Sequence, residues 1–209
     1  MFEKLYKKFE LKGERSFLRM HNEMSSINTK EADNSFKIYK KQYIDTLLKE
    51  NGFYKYKTNA YIRRNKIDVL EFIELQKNTR YGSREFTVNF AITPLYYIHY
   101  DFLNFNRERI GMLICQKDVW WDYANENIAK ISFENVAKAI EDFIIPWFEA
   151  HSSDEAIKKM LLDEQEKRGG RLSEEEQAWL EMLDNHNDYD KTIEDNIKLF
   201  SLPKSLIKA

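Results

Sequence analysis

The sequence predicts an α+β fold, in which an antiparallel sheet of about five strands is flanked by helices and followed by a C-terminal helical hairpin. Short β-branched and aromatic runs alternate with turn residues, apolar residues recur at helical spacing on either side of them, and two helix-start patterns lie near the C-terminus. These features divide the chain into an N-terminal amphipathic helix and arm (residues 1–35), an α+β core domain (36–151) and an acidic helical extension (152–209).

Two helices are predicted before the strands. Apolar residues at helical spacing indicate a short amphipathic helix within residues 1–10, and the polar segment 21–35 reads as a loop or arm. A longer helix is predicted from Phe36, because Phe36, Tyr39, Tyr43 and Leu47 fall on one stripe. Asn51 and Gly52 then supply a left-handed helix stop.

The strands are predicted from "FYKYKT" (53–58), "AYIRR" (60–64), "IDVLEFIELQK" (67–77) and the alternating segment 86–92. A polar hinge, "NTRYGSRE" (78–85), joins the last two segments, so we expect them to be adjacent antiparallel partners. Pro94 should end the fourth segment. A further strand is predicted at "RIGMLICQ" (109–116).

The remaining helices are predicted from capping patterns. Ser132 is expected to cap a long apolar helix that Pro146 kinks or restarts. Ser152 with Glu155, and Ser173 with Glu176, match the capping box, and the intervening Gly-Gly pair (169–170) should stop the first helix of this hairpin.

Charge is distributed unevenly along the chain. Residues 154–195 contain 14 Asp and Glu against 6 Lys and Arg, a local charge of −8, whereas the rest carries 27 basic against 21 acidic residues, or +6. Such a segment is typical either of a solvated helical surface or of a docking site for a basic partner, and both readings stay open.

The sequence favours a cytoplasmic protein. Its first residues, "MFEKLYKKFELKGERSF", are charged every two or three positions, and no run reaches the roughly 18 apolar residues of a membrane span. Cys115 is the single cysteine, so neither an intrachain disulfide nor a two-cysteine metal or redox motif can form.

A candidate binding groove is built around two amides. Gln76 and Asn89 fall on the less apolar faces of the paired segments and should lie close together, with Trp120, Trp121 and Asp122 on a nearby segment. Amides beside an indole offer donors, acceptors and an apolar wall. The alternative is that the amides bridge buried backbone groups or a trapped water.

No catalytic residue, metal site or cofactor is predicted. The four histidines lack the spacing that brings two imidazoles to one ion. The geometry of a divalent-metal nuclease site fails unless a bulge intervenes, because Glu74 and Lys77 are three apart and point to opposite faces of an extended strand. His99 and Asp101 could form a general base, but a surface hydrogen-bonded pair explains them more simply. Basic residues interleave with aromatic residues, as in single-strand binders, but solubilising charge accounts for them.

The order of "LLKENGF", "ELQKN", "REFTVNFAI", "RIGMLIC" and "DVWWDY" before a long apolar helix resembles the bacterial family known as domain of unknown function 4304, over about residues 36–151. The resemblance implies a small α+β domain, sometimes suspected of belonging to toxin and immunity or defence neighbourhoods. It implies no catalytic residue, because the family's activity is not established.

The leading functional expectation is a non-catalytic protein-binding module, as in a bacterial immunity or defence protein that contacts a basic toxin or effector. One alternative is a nucleic-acid-processing enzyme, metal-dependent and nuclease-like, or its inactive relic. Another is a structural subunit of a larger assembly.

Overall fold

The computed structural model describes residues 28–78, 80–97, 106–185 and 189–206. The helix predicted within residues 1–10 and the pair His99 and Asp101 lie outside these ranges. Within them, no helix is long and apolar enough to cross a membrane.

The helices include two long helical runs that contain π-helical turns. The first run comprises α1 (Thr29–Tyr39), a π turn (Lys40–Asp45) and α2 (Thr46–Glu50). After the short α3 (Ile110–Cys115), the second run comprises α4 (Glu126–Ala139), a π turn (Ile140–Ile144) and α5 (Ile145–Ala150). The last helices are α6 (Asp154–Lys167), α7 (Glu174–Asp184) and α8 (Asp190–Leu199).

The strands form one sheet in the order β1-β2-β3-β4-β5, and β6 also pairs with β4. Their bounds are β1 (Tyr54–Lys57), β2 (Ala60–Arg64), β3 (Val69–Asn78), β4 (Glu85–Pro94), β5 (Glu108–Arg109) and β6 (Trp121–Asp122). The α+β class with an antiparallel sheet is confirmed. So is the adjacency of β3 and β4, whose connection (79–84) is too short for a parallel crossover.

The described residues fall into two compact units. The first takes its residues from Met1–Asn51, Leu75–Asn89 and Glu108–Phe143. Phe36 of α1, Phe86 of β4 and Phe133 of α4 form its aromatic centre, with ring centroids 4.6–5.3 Å apart. Helices α1 and α4 therefore cover the Phe86 face of β4.

The second unit takes its residues from Gly52–Glu74, Phe90–Arg107 and Ile144–Ala209. Its strands β2 and β3 pair in regular antiparallel register, from Ala60 opposite Glu74 to Arg64 opposite Leu70. The pairing of β1 with β2 is also antiparallel but shifts register between Lys55 and Lys57. Helix α8 is tied to the chain after β4, because the buried Asn196 donates from Nδ2 to the carbonyl of Leu95 at 2.7 Å. The acidic C-terminal segment is thus packed against this unit's own core.

The strand predicted at residues 109–116 is wrong. Residues Ile110–Cys115 form α3, which ends where Gln116 adopts a left-handed conformation with φ of 56°. Helix α3 packs closely on the following chain at Gly111, where a Cβ atom would lie 2.2 Å from the carbonyl oxygen of Lys117. A run of a few apolar residues is compatible with either a strand or a helix, so the sequence pattern does not decide between them. In the structure this run is helical and approaches the following chain closely at Gly111.

Three helix starts also differ from prediction. Helix α1 begins at Thr29, capped by Asn28, so residues 29–35 are helical and not part of an arm. The long apolar helix is capped by Asn125, whereas Ser132 lies inside it and donates to the carbonyl of Asp122 at 2.6 Å. The cap of α6 is Ser153, one residue after the one predicted.

Candidate functional site

The two amides of the predicted groove are in direct contact. Asn89 donates from Nδ2 to Oε1 of Gln76 at 3.0 Å. The Asn89 side chain is buried, whereas Gln76 is half-buried. They lie on the face of β4 opposite the Phe86 face, because side chains alternate along a strand.

The neighbouring predicted residues divide between the two faces. Trp121 lies directly opposite Phe86, with ring centroids 6.2 Å apart, and is buried on the Phe86 face. Asp122 lies opposite Glu85 and therefore on the amide face, where Oδ1 accepts the backbone amide of Ala124.

Trp120 is half-buried and precedes β6. Its Nε1 donates to Oδ2 of Asp118 at 2.9 Å, and the Arg109 guanidinium lies 5.1 Å from its ring centroid. The structure therefore brings Gln76 and Asn89 together but places Trp121 on the other face of the strand. The role of these residues in binding stays a prediction for all five: Gln76, Asn89, Trp120, Trp121 and Asp122.

We expect Asn89→Ala to lower the free energy of unfolding by about 1–2 kcal/mol, since it removes a buried side chain and its hydrogen bond. Gln76→Ala should lower the free energy of unfolding by less. Gln76 is half-buried, so a water molecule can take the place of its Oε1 as the acceptor for Asn89. Urea unfolding of each variant measures this, and equal costs would contradict the assigned burial. A stably folded double variant that no longer captures a protein partner would assign the amides to a binding groove.

A second candidate site is the acidic surface of α7. This helix contains five carboxylates and no basic residue. Two of them are in ion pairs: Asp184 with Lys158, and the buried Glu176 with Arg168. The other three, Glu174, Glu175 and Glu181, are exposed, and the described residues place no cation in an ion pair with them.

The start of α7 is fixed by the predicted capping box, which is confirmed. The amide of Glu176 donates to Oγ of Ser173 at 3.1 Å, and the amide of Ser173 donates to Oε2 of Glu176 at 2.8 Å. Arg168, at the end of α6, donates to both oxygens of the same Glu176 carboxylate at 2.8 and 3.1 Å. The turn of the α6–α7 hairpin is therefore held at both ends.

Helix α7 is anchored by one buried indole. Trp179 is completely buried, and its Nε1 donates to the hydroxyl of Tyr96, the second residue after β4, at 2.8 Å. Leu183 and the α6 residues Ile157 and Leu161 are buried as well. The exposed carboxylates of α7 thus project from a helix in a fixed position, not from a mobile tail.

Sequence reasoning did not predict the ion pairs of two charged side chains on β3, Glu71 and Lys77. Glu71 is buried and paired with Arg63, directly opposite it on β2. Burial raises the pKa of Glu71, while the hydrogen bond and charge of Arg63 act in the opposite direction. The available signal was that Glu71 alternates in phase with Val69 and Ile73, which places a carboxylate on an apolar face.

Lys77 was considered in the sequence only as a possible metal-site residue with Glu74, and its ion pair was not predicted. It pairs with Asp33 of α1 at 2.6 Å, and this hydrogen bond is the main cause that lowers the pKa of Asp33. Glu74, three positions earlier, pairs with Arg107. The described residues contain no group of three or more His, Cys, Asp or Glu side chains placed to hold a metal ion.

Comparison with known proteins identifies the family but not an activity. The family model described as "Domain of unknown function (DUF4304)" matches residues 44–150, just over half of the chain. No curated protein and no solved structure is significantly similar to it. Because this match covers more than half of the chain, the chain belongs to the DUF4304 family.

Proposed function

We propose that the chain is a non-catalytic protein-binding module, and that the exposed acidic face of α7 contacts a basic surface on its partner. The observation that carries this proposal is the arrangement of Glu174, Glu175 and Glu181. All three carboxylates are exposed, lie on one helix without a basic residue, and have no ion-pair partner among the described residues. Trp179 holds that helix in place.

Rigid placement matters because it reduces the entropy lost on binding. Carboxylates on a disordered tail would have to be ordered by the partner, whereas those on an anchored helix are already in position. Their field also favours encounter with a positively charged surface, an effect that salt weakens. The local charge of −8 over residues 154–195 extends this field beyond α7 itself.

A bacterial immunity or defence role in the cytoplasm is the most specific form of this proposal. An immunity protein must recognise one partner strongly and needs no chemistry of its own. A nuclease toxin binds nucleic acid through a basic surface, so an acidic helix could occupy that surface. A toxin gene next to the gene for this chain would support this form.

The direct test replaces the three α7 carboxylates that form no ion pair among the described residues. We expect the full chain with Glu174→Gln, Glu175→Gln and Glu181→Gln to fold normally and to lose most of its partner capture, because the substituted side chains are exposed. The measurement is quantitative crosslinking and mass spectrometry in the native host, comparing each captured protein between this variant and the wild type. The proteins lost should be basic, and raising the salt concentration should release them from the wild type.

A matched control changes the net charge equally at residues that are not part of α7. The variant Glu50→Gln, Glu108→Gln and Glu141→Gln removes three exposed carboxylates elsewhere and should capture the partner as the wild type does. Equal capture by all three proteins would show that α7 is only a solvated surface. Equal loss in both variants would show that total charge, not this helix, governs capture.

A further inference from the structure

A second polar cluster lies in the first unit, at the end of the β4–β6 pairing. The backbone amide of Tyr123 donates to the carbonyl of Arg84 at 2.7 Å. This bond continues the antiparallel register in which Phe86 lies opposite Trp121. Since side chains alternate along each strand, Arg84 and Tyr123 share the Phe86 face.

Lys77 and Asp33 lie beside Tyr123 and belong to the same cluster. The Lys77 ammonium lies 4.9 Å from the ring centroid of Tyr123 and 4.6 Å from that of Phe36, and it donates to Oδ1 of Asp33 at 2.6 Å. The side chains of Lys77 and Asp33 are 25% and 44% exposed. They therefore form the edge of the cluster that solvent reaches.

The other edge is buried and consists of hydrogen-bond donors. The Tyr123 side chain is completely buried, and neither its hydroxyl nor Nε of Arg84 meets a hydrogen-bond partner in the part of the chain that the structure describes. Arg84 donates from Nη1 only to the carbonyl of its neighbour Ser83, and no carboxylate of the described residues forms an ion pair with it. Burying such groups is costly unless an acceptor meets them.

The charges of the cluster favour an acceptor that is negative. The charges of three cations, Lys77, Arg84 and Lys37, all lower the pKa of Asp33. Asp33 and Asp122 are the carboxylates whose charges act on Tyr123, so cations outnumber carboxylates around the cluster. Burial raises the pKa of Tyr123, and the Asp33 charge raises it further, so the phenol stays protonated and can donate at neutral pH. A guanidinium, an ammonium and a phenol are a donor set suited to an oxyanion.

We propose that Arg84, Tyr123 and Lys77 form a binding site for the oxyanion group, a phosphate or a carboxylate, of a small molecule. Arg84 and Tyr123 hold the buried end of the anion, and Lys77 neutralises its outer end. Asp33 positions the Lys77 ammonium through their hydrogen bond. A small ligand is required because the Tyr123 hydroxyl is inaccessible to the surface of a folded protein. This site shares no residue with the acidic face of α7, so the two proposals succeed or fail separately.

The test measures binding of simple oxyanions to the full chain at constant ionic strength. Inorganic phosphate, phosphoserine and acetate are each titrated by calorimetry and by thermal unfolding, with chloride as the ionic-strength control. We expect saturable binding and a rise in Tm for phosphate or acetate, since a ligand bound only to the folded state stabilises it. Phosphoserine binding tighter than phosphate would indicate a phosphorylated small molecule, whereas the reverse order would indicate free phosphate. A shift that chloride reproduces would overturn the proposal.

Two variants connect the binding to the site. Tyr123→Phe keeps the ring that packs on Phe36 and should fold with an unchanged or higher Tm, because it removes only a buried hydroxyl; its affinity should fall about tenfold or more. Arg84→Met should abolish detectable binding. Arg80→Met, which changes an exposed arginine two residues past β3, should bind as the wild type does. Unchanged affinity in Tyr123→Phe would show that the hydroxyl contacts only water and would contradict the assignment.

Discussion

Replacing Trp179 by alanine is expected to lower the free energy of unfolding by about 3–5 kcal/mol, the range measured for removal of a large buried aromatic side chain. The indole is completely buried, so the variant loses its packing and leaves a cavity beneath α7. It also removes the donor to the Tyr96 hydroxyl. Urea unfolding followed by circular dichroism gives the difference directly.

Two further variants show how much of the Trp179→Ala effect comes from the buried indole. Trp179→Phe retains most of the ring and should cost about 1–3 kcal/mol, mainly through the lost hydrogen bond to Tyr96 and the smaller volume. Leu199→Ala changes a side chain that is 65% exposed on α8 and should lie within about 0.5 kcal/mol of the wild type. Similar stability of Trp179→Ala and Leu199→Ala would mean that α7 is not docked through its indole.

Removing the cation beside the buried Glu71 should have a comparable effect, and one that depends on pH. At neutral pH, Arg63→Met is expected to cost about 3 kcal/mol, because a carboxylate that is 1% exposed would remain without its ion-pair partner. Methionine keeps an apolar side chain near Phe53, whose ring the guanidinium now covers at 4.6 Å. The loss can therefore be assigned mainly to charge.

The direction of the pH dependence follows from the raised pKa of Glu71. Burial raises this pKa and Arg63 opposes the rise, so removing Arg63 raises it further. Above the unfolded-state pKa of a glutamate, about 4.3, the folded state then holds more protons than the unfolded state. Stability falls as pH rises through this window. The cost of Arg63→Met should consequently be greater at pH 8 than at pH 5, as judged by urea unfolding at both values.

A double variant provides the control. Arg63→Met combined with Glu71→Gln removes both charges, so it should recover part of the stability lost in Arg63→Met and lose the added pH dependence. The difference between the double variant and the sum of the single variants measures the coupling of the pair. A cost of Arg63→Met that is identical at pH 5 and pH 8 would contradict the burial of Glu71.

Alternation and capping were the sequence signals that predicted structure well. The alternating pattern of segment 86–92 and the short hinge before it were enough to predict that β3 and β4 are neighbours. The Ser173 and Glu176 pair predicted the start of α7 to the residue. These signals succeed because each depends on backbone geometry within a few residues, not on distant packing.

The failures arose where distant contacts decide the structure. The polar residues 29–35 form helix because Ala32 and Ser35 are buried with Phe36, which their composition does not reveal. Asn125 and Ser132 are both residue types that can cap a helix. In the structure Asn125 is the cap, whereas Ser132 is buried inside the helix and donates its hydroxyl to the carbonyl of Asp122. Helix propensity depends on residue type alone and does not include such distant contacts.

The candidate sites were predictable to different degrees. The contact of Gln76 with Asn89 followed from strand pairing, whereas the burial of Trp121 on the other face depended on a register that the sequence does not specify. The acidic segment was visible as a charge count. Its anchoring by Trp179 and Tyr96 was not, because those residues are 83 positions apart.

The claim that α7 binds a basic partner is tested most directly by mapping the contact in solution. The ¹⁵N-labelled full chain is titrated with the partner recovered by crosslinking, and the backbone amide shifts are followed by NMR. The account predicts that the largest shifts lie in Glu174–Asp184, with Gln76, Asn89 and Trp120 unchanged. Shifts concentrated at those three residues, with α7 unperturbed, would contradict it and place the interface on the sheet.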